Sequence, residues 1–214
     1  MTVDRTVIHL LRHGEVENPE RVLYGRLPGF YLSERGQAMA RRLAEHLADH
    51  DITRIVASPM ERAQQTAAPL AAELGLSVQI DARLTEADNK FQGLKVGVGD
   101  GALRQPKYWR WLWNPITPSW GESYVLVSGR MRLAVGAAVQ AARGHEAVLV
   151  SHQMPIWIAR LAAENRPFVH DPRRRECSLA SLTSLSYTGD QLVSVTYSQP
   201  ASDLLPGAST VAGA

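Results

Sequence analysis

The stretch Leu10-Leu11-Arg12-His13-Gly14-Glu15 decides how the chain is read. It closes the first apolar run, Val7-Ile8-His9-Leu10-Leu11. A run of that length, bounded by polar residues and glycine, predicts a buried strand. The strand ends on an arginine and a histidine. Ligands of open α/β sheets bind at the carboxyl ends of the strands. The run therefore predicts a cation and an imidazole delivered to that edge.

Outward from this stretch, apolar runs alternate with helical periodicity. Glu15 to Leu32 is a polar loop holding Tyr24-Gly25-Arg26 and Leu27-Pro28-Gly29. Ser33 is a candidate N-cap for a helix from Glu34 to about Asp49, striped by Ala40, Leu43, Ala44 and Leu47. Ile52–Ala57 predicts a second strand. Ser58-Pro59 predicts a helix start, with Ser as cap and Pro in the first turn, running to Leu74 before Gly75. Pro69 is expected to kink or shorten that helix. Val78–Ile80 is a third strand. Gly121-Glu122-Ser123 opens a helix to about Arg143. Ala147–Val150 is a strand ending at Ser151-His152, and a helix follows from Pro155 to Glu164. Ala180–Tyr187 and Leu192–Tyr197 flank Thr188-Gly189-Asp190, a hairpin signal.

Strands alternating with helices predict an α/β fold. The expectation is a three-layer α/β/α sandwich with a mostly parallel central sheet and one antiparallel strand. Residues 1–199 read as one catalytic domain. Within it, 88–120 lacks a clear period and holds Trp109, Trp111, Trp113 and Trp120, so it reads as a lid or insertion. Residues 200–214 read as a flexible tail.

The 214 residues are 45% hydrophobic and 21% charged, enough to bury a sizeable core. A net charge of +2 is too small to imply a nucleic-acid or membrane surface, and neither partner is expected. Only Lys90, Lys95 and Lys107 are lysines; the other 20 of the 23 basic residues are arginines, which suit planar contacts to phosphate or carboxylate. Cys177 is the single cysteine, so no intrachain disulfide can form. Residues Met1 to Thr6 lack the apolar core of a signal peptide, and no stretch approaches the ~18 apolar residues of a membrane span. A cytoplasmic location is expected. A homodimer is possible.

The chemistry gathers just after strands. The first strand offers Arg12 and His13, the second Arg62, the late strand His152. Glu86 follows the third strand in Arg83-Leu84-Thr85-Glu86. Each alone is unremarkable; together they are the parts phosphoryl transfer needs. A neutral imidazole is a competent nucleophile. Guanidinium forks match phosphoryl oxygens, and a protonated His152 would add a third cation. A carboxyl group with a raised pKa protonates the leaving oxygen and then activates water. The substrate expected is a small phosphomonoester. No cysteine pair, and no Gly-x-x-x-x-Gly-Lys-Ser/Thr loop, points elsewhere.

At this point the chain resembles the histidine phosphatase superfamily, in its phosphoglycerate-mutase-like branch. Arg12-His13-Gly14-Glu15, Leu32-Ser33-Glu34-Arg35-Gly36, Ser58-Pro59-Met60-Glu61-Arg62-Ala63, Leu84-Thr85-Glu86, Gly121-Glu122-Ser123 and Val150-Ser151-His152 match its blocks in order. The resemblance implies a covalent phosphohistidine at His13, a phosphate pocket of Arg12, Arg62 and His152, and Glu86 as acid and base. It implies no metal and no organic cofactor. It implies a phosphatase, with a phosphoglycerate-type mutase as the alternative and a non-catalytic phospholigand binder behind both. Where relatives place an Asn six residues after the nucleophile, Pro19 stands here, with Asn18 before it. Where they have Gly after the last His, Gln153 stands. Asn18, Gln153 and Ser123 are the further expected substrate contacts.

Overall fold

The computed structural model describes residues 5–97, 100–114 and 117–208. The chain opens with β1 (Arg5–Arg12), buried from Thr6 onward. Helix α1 (Glu34–Leu47) is capped by Ser33, whose hydroxyl accepts from Gly36 N. Strand β2 (Ile52–Ala57) leads to α2 (Glu61–Leu74) and the short β3 (Val78–Ile80). A small hairpin, β4 (Val96–Gly97) and β5 (Asp100–Gly101), precedes the one-turn α3 (Pro106–Trp109). Then come α4 (Tyr124–Ala141), β6 (Glu146–Ser151), α5 (Gln153–Ala163), β7 (Leu182–Thr188) and β8 (Gln191–Ser198).

The main sheet has the order β3-β2-β6-β1-β7-β8. The first four of these run parallel; β7 is antiparallel to β1, and β8 is antiparallel to β7. The α/β fold with a mostly parallel sheet is thus observed. Side chains of a strand alternate between faces, and the two cores follow that alternation. Ile8, Leu10, Ala147 and Leu149 pack with α4 and α5, while Leu11, Val148, Val150 and Ile55 pack with α1 and α2. Among the described residues, no helix is long and apolar enough to cross a membrane.

Four local expectations are corrected. Helix α2 starts at Glu61, not at Pro59, and its N-cap residue Met60 makes no side-chain cap. The Ser58 hydroxyl is turned instead to His152 Nε2 at 2.8 Å. Helix α2 also runs on through Pro69 to Leu74. Pro69 is half-exposed, where water can replace the hydrogen bond it removes. Helix α5 begins at Gln153, which puts Pro155 in the first turn, where its missing N–H has no intrahelical partner to lose. Of the segment expected as a flexible tail, 201–208 packs on the core, and 209–214 lies outside the described residues. Ala201 is buried in the α1–α2 core, with Leu204, Leu205 and Ala208 against it, and Asp203 pairs with Arg42 at 3.1 Å.

Residues 88–120 are not structureless where described. Phe91 and Ala102 are buried with Leu23, and Tyr108, Trp111 and Trp120 pack around them. The Phe91 and Trp111 rings meet edge to face at 5.2 Å. Trp109 and Trp113 stay exposed.

Candidate active site

Strand register builds the site. Arg12 pairs with Ser151 across β1 and β6, and His13 N donates to Ser151 O. The next residues, His13 and His152, therefore emerge side by side from neighbouring parallel strands. Their ring centroids lie 5.1 Å apart. On the other flank of β6, Ala57 pairs with Val150 and Ser58 N donates to Val150 O. That places the Ser58 hydroxyl beside His152. Arg62 follows in the first turn of α2 and is fully buried.

The loop after His13 is pressed against the start of α1. A Cβ on Gly36 would lie 2.0 Å from Glu15 O, so only glycine lets these two backbones touch. Ser33 Oγ donates to the Glu15 carboxylate at 2.6 Å. Thr66 Oγ1 accepts from Gly14 N and donates to Arg62 O, which ties this loop to α2. The blocks around residues 12–15, 33–36 and 62–66 are thus one packed unit.

His13 Nδ1 lies 2.7 Å from Gly14 O. A carbonyl only accepts, so Nδ1 carries the proton and Nε2 keeps its lone pair. Nε2 has no hydrogen-bond partner among the described residues. Burial, then the Arg62 and Arg12 charges, push the His13 pKa well below the usual histidine range. Burial, Arg62, His13 and Arg12 do the same to His152. The sequence reading made His152 a third cation only if protonated, and burial and these charges oppose that protonation. The Ser58 hydroxyl accepts from Met60 N, so its own proton is available for His152 Nε2. With the hydroxyl donating to Nε2, the His152 proton stands on Nδ1, which has no partner among the described residues.

The cations are held in place by the backbone. Arg12 Nη1 donates to Cys177 O and Arg62 Nη2 to Gly25 O, each at 2.6 Å. Arg62 lies over the Tyr24 ring, 4.7 Å from its centroid, and its Nε and Nη1 have no partner among the described residues. Buried guanidinium donors brought to one strand edge suit an oxyanion.

Glu86 is buried, and burial raises its pKa against the opposing pulls of the Ala87 N–H, Arg62, Arg12 and Arg130. Its backbone is clamped: Arg26 Nε donates to Glu86 O, and Ser151 Oγ donates to Leu84 O, both at 2.7 Å. It borders a cavity of about 280 Å³. Leu23, Phe91, Leu112, Trp120 and Met154 give that cavity an apolar wall, and Gln153 and Arg175 a polar one.

Of the further expected contacts, Gln153 lines this cavity and accepts from Arg175 Nη1 at 3.3 Å. Ser123 serves as the N-cap of α4, accepting from Leu126 N. Asn18 closes its own loop, donating to Val22 O and accepting from Val22 N. Tyr24 and Arg175 were missed in the sequence. Tyr24 sits in a glycine-rich polar loop, and Arg175 ends the run Arg173-Arg174-Arg175, which reads as solvated charge. Arg173 and Arg174 are exposed, whereas Arg175 is inside, donating to His170 Nε2 at 2.8 Å.

A family model described as the histidine phosphatase superfamily (branch 1) matches residues 8–200. The chain is 55% identical over 198 residues to the uncharacterized protein Rv0525 of Mycobacterium tuberculosis, covering 92% of this chain and 98% of that one. It is 33% identical over 154 residues to a probable phosphoglycerate mutase, GpmB, of Cronobacter sakazakii, covering 70% of each chain. The solved complex of a mycobacterial glucosyl-3-phosphoglycerate phosphatase with inorganic phosphate superposes with a TM-score of 0.69 and 30% identity, over 91% of this chain and 94% of that one.

Proposed function

This chain belongs to the histidine phosphatase superfamily, and from that premise we propose that it hydrolyses a small phosphomonoester through a covalent phosphohistidine on His13. The observation that carries the reading is the His13 tautomer. Its Nδ1 proton is fixed on Gly14 O, so the Nε2 lone pair is aimed away from that bond and lies among Arg12, Arg62 and His152.

His13 Nε2 attacks phosphorus. The P–N bond forms as the bond to the leaving oxygen breaks, and Glu86 gives that oxygen its proton. Arg12, Arg62 and the His152 Nδ1–H carry the charge on the equatorial oxygens. The Glu86 carboxylate then takes a proton from water, whose oxygen attacks phosphorus. The P–N bond breaks, and inorganic phosphate leaves with Glu86 reprotonated. Fixed donors at developing charge are worth about 100- to 1000-fold each. No step calls for a metal or an organic cofactor. The cavity beside Glu86 supports a leaving group with an apolar body, reached by Gln153 and Arg175.

The alternative is a mutase, favoured by the resemblance to the probable phosphoglycerate mutase. The resemblance to the mycobacterial glucosyl-3-phosphoglycerate phosphatase favours hydrolysis. Incubation with a chromogenic phosphomonoester and a chelator separates the readings. Hydrolysis with acid-labile phosphate on the protein is the expected result. A phosphoprotein discharged by phosphoglycerates but not by water would mean a mutase. Neither turnover nor phosphoprotein would mean a binding protein.

A further inference from the structure

We propose that His9, His50 and Glu146 form a binding site for a divalent zinc-class metal ion, separate from the phosphoryl-transfer site. His9 lies four residues before His13 on β1, about 13 Å away at the rise of a strand. Glu146 opens β6, and His50 follows α1. The site therefore lies toward the amino-terminal rim of the sheet, on the α1 side.

Three observations carry the proposal. First, the donor atoms converge: His9 Nε2 lies 2.9 Å and His50 Nδ1 2.8 Å from the same carboxylate oxygen, Glu146 Oε2. All three atoms lie within 4.8 Å of one another. Zinc bonds to imidazole nitrogen and carboxylate oxygen are about 2.0–2.2 Å, so ligand atoms of one ion stand roughly 3.3 Å apart. Each donor needs to shift by about 1 Å or less to admit the ion.

Second, the outer support is in place. His9 Nδ1 lies 2.7 Å from Ser184 Oγ, its cross-strand partner on β7. With metal on Nε2, the His9 proton moves to Nδ1 and donates to that hydroxyl. An imidazole ligand tied at its other nitrogen is the usual arrangement around zinc. Third, the donor set is selective and reachable. Two imidazoles and one carboxylate suit a divalent first-row ion such as zinc more than magnesium or calcium. His9 is buried, while the His50 side chain is 36% exposed and gives the ion its way in. His46 stands four residues before His50, its ring centroid 6.0 Å away, and is exposed. Water or His46 completes the tetrahedron.

The ion would tie the end of α1 to β1 and β6. Because a metal takes the lone pair that a proton would otherwise occupy, binding weakens on acidification.

The test uses the tag-free full chain, stripped with a chelator and titrated with Zn2+ by calorimetry and by thermal melting. One zinc per chain at micromolar affinity or better, with a melting temperature that rises with zinc, is expected. Glu146→Gln and His50→Gln should each weaken binding at least about 10-fold, while His145→Gln, a neighbour paired to Asp51, should not. Replacing buried His9 endangers the fold, so these half-exposed positions carry the test, with circular dichroism showing that each variant folds. Substoichiometric or millimolar binding would overturn the proposal. So would folded Glu146→Gln and His50→Gln variants that bind zinc as the unaltered chain does.

Discussion

Strands β1 and β6 carry two histidine clusters, and their fates are opposite. At the carboxyl ends, His13 and His152 meet Arg12 and Arg62, and among the described residues no carboxylate hydrogen-bonds to either ring. Nearer the amino-terminal rim, His9 and His50 share Glu146, whose pKa they pull down to about 2. Cations and burial keep the first pair neutral, leaving a lone pair that can attack. The second pair converges on one carboxylate oxygen, the geometry on which the metal proposal rests. The same side chain thus becomes nucleophile or ligand according to the sign of the charge its neighbours hold.

The largest effect expected is at the nucleophile. His13→Ala should lower turnover by about 10,000-fold or more and abolish acid-labile phosphate on the protein. His50→Gln, in the other cluster, should leave turnover within about twofold. Equal losses from the two changes, measured with one chromogenic substrate, would break the distinction between the clusters.

Next is the proton donor. Glu86→Gln should cost about 100- to 10,000-fold, most for poor leaving groups. The pH profile sharpens this. His13 must be neutral and Glu86 protonated, so activity falls below the depressed His13 pKa and above the raised Glu86 pKa. The alkaline limb should disappear in Glu86→Gln. An unchanged limb would assign it to another group.

A smaller effect is expected where the site is braced. Thr66→Val leaves buried Gly14 N without its acceptor, and should cost about 1–3 kcal/mol in denaturant unfolding. No measurable loss would show that the residue 12–15 loop does not need that bond.

The smallest and most diagnostic effect is the acid dependence of stability. Folded His13 and His152 bind protons less readily than the unfolded chain. Their contribution is therefore present at neutral pH and is lost as pH falls below about 6.5. Glu146 is the carboxylate case: its contribution is lost only as pH falls from its ordinary 4.5 toward about 2. Inorganic phosphate, by favouring protonated imidazole, should suppress the first loss and leave the second. Glu146→Gln should flatten the second alone. A pH scan of melting temperature that shows one merged loss, indifferent to phosphate, would contradict the contrast.

Much of the site was legible because its residues stand next to strong local signals. His13, Arg12 and His152 follow apolar runs, and the Ser33 cap with Gly36 announces α1. Glu86 was legible as a carboxyl group after a strand, though not its clamps at Arg26 and Ser151. Tyr24 and Arg175 were hidden because an aromatic in a polar loop and an arginine in an arginine run look solvated. Ser58 was read as a helix cap because its partner, His152, lies 94 residues away. The His46-x-x-x-His50 pair was overlooked in the sequence, and no local pattern joins His50 to His9 and Glu146.

By itself, the sequence determined the main-sheet strands and the longer helices, and it placed His13 and His152 just after strands. Periodicity records the face that is buried, and glycine, proline and serine mark the ends. The tertiary structure decided which strand lies beside which. Only the insertion of β6 between β2 and β1, with Arg12 opposite Ser151, sets His13 against His152 and Ser58. Only that pairing brings His9, His50 and Glu146 onto one oxygen. Hydrogen-bonded neighbours, charge partners and burial arise between residues far apart in the chain, and local pattern holds no record of them.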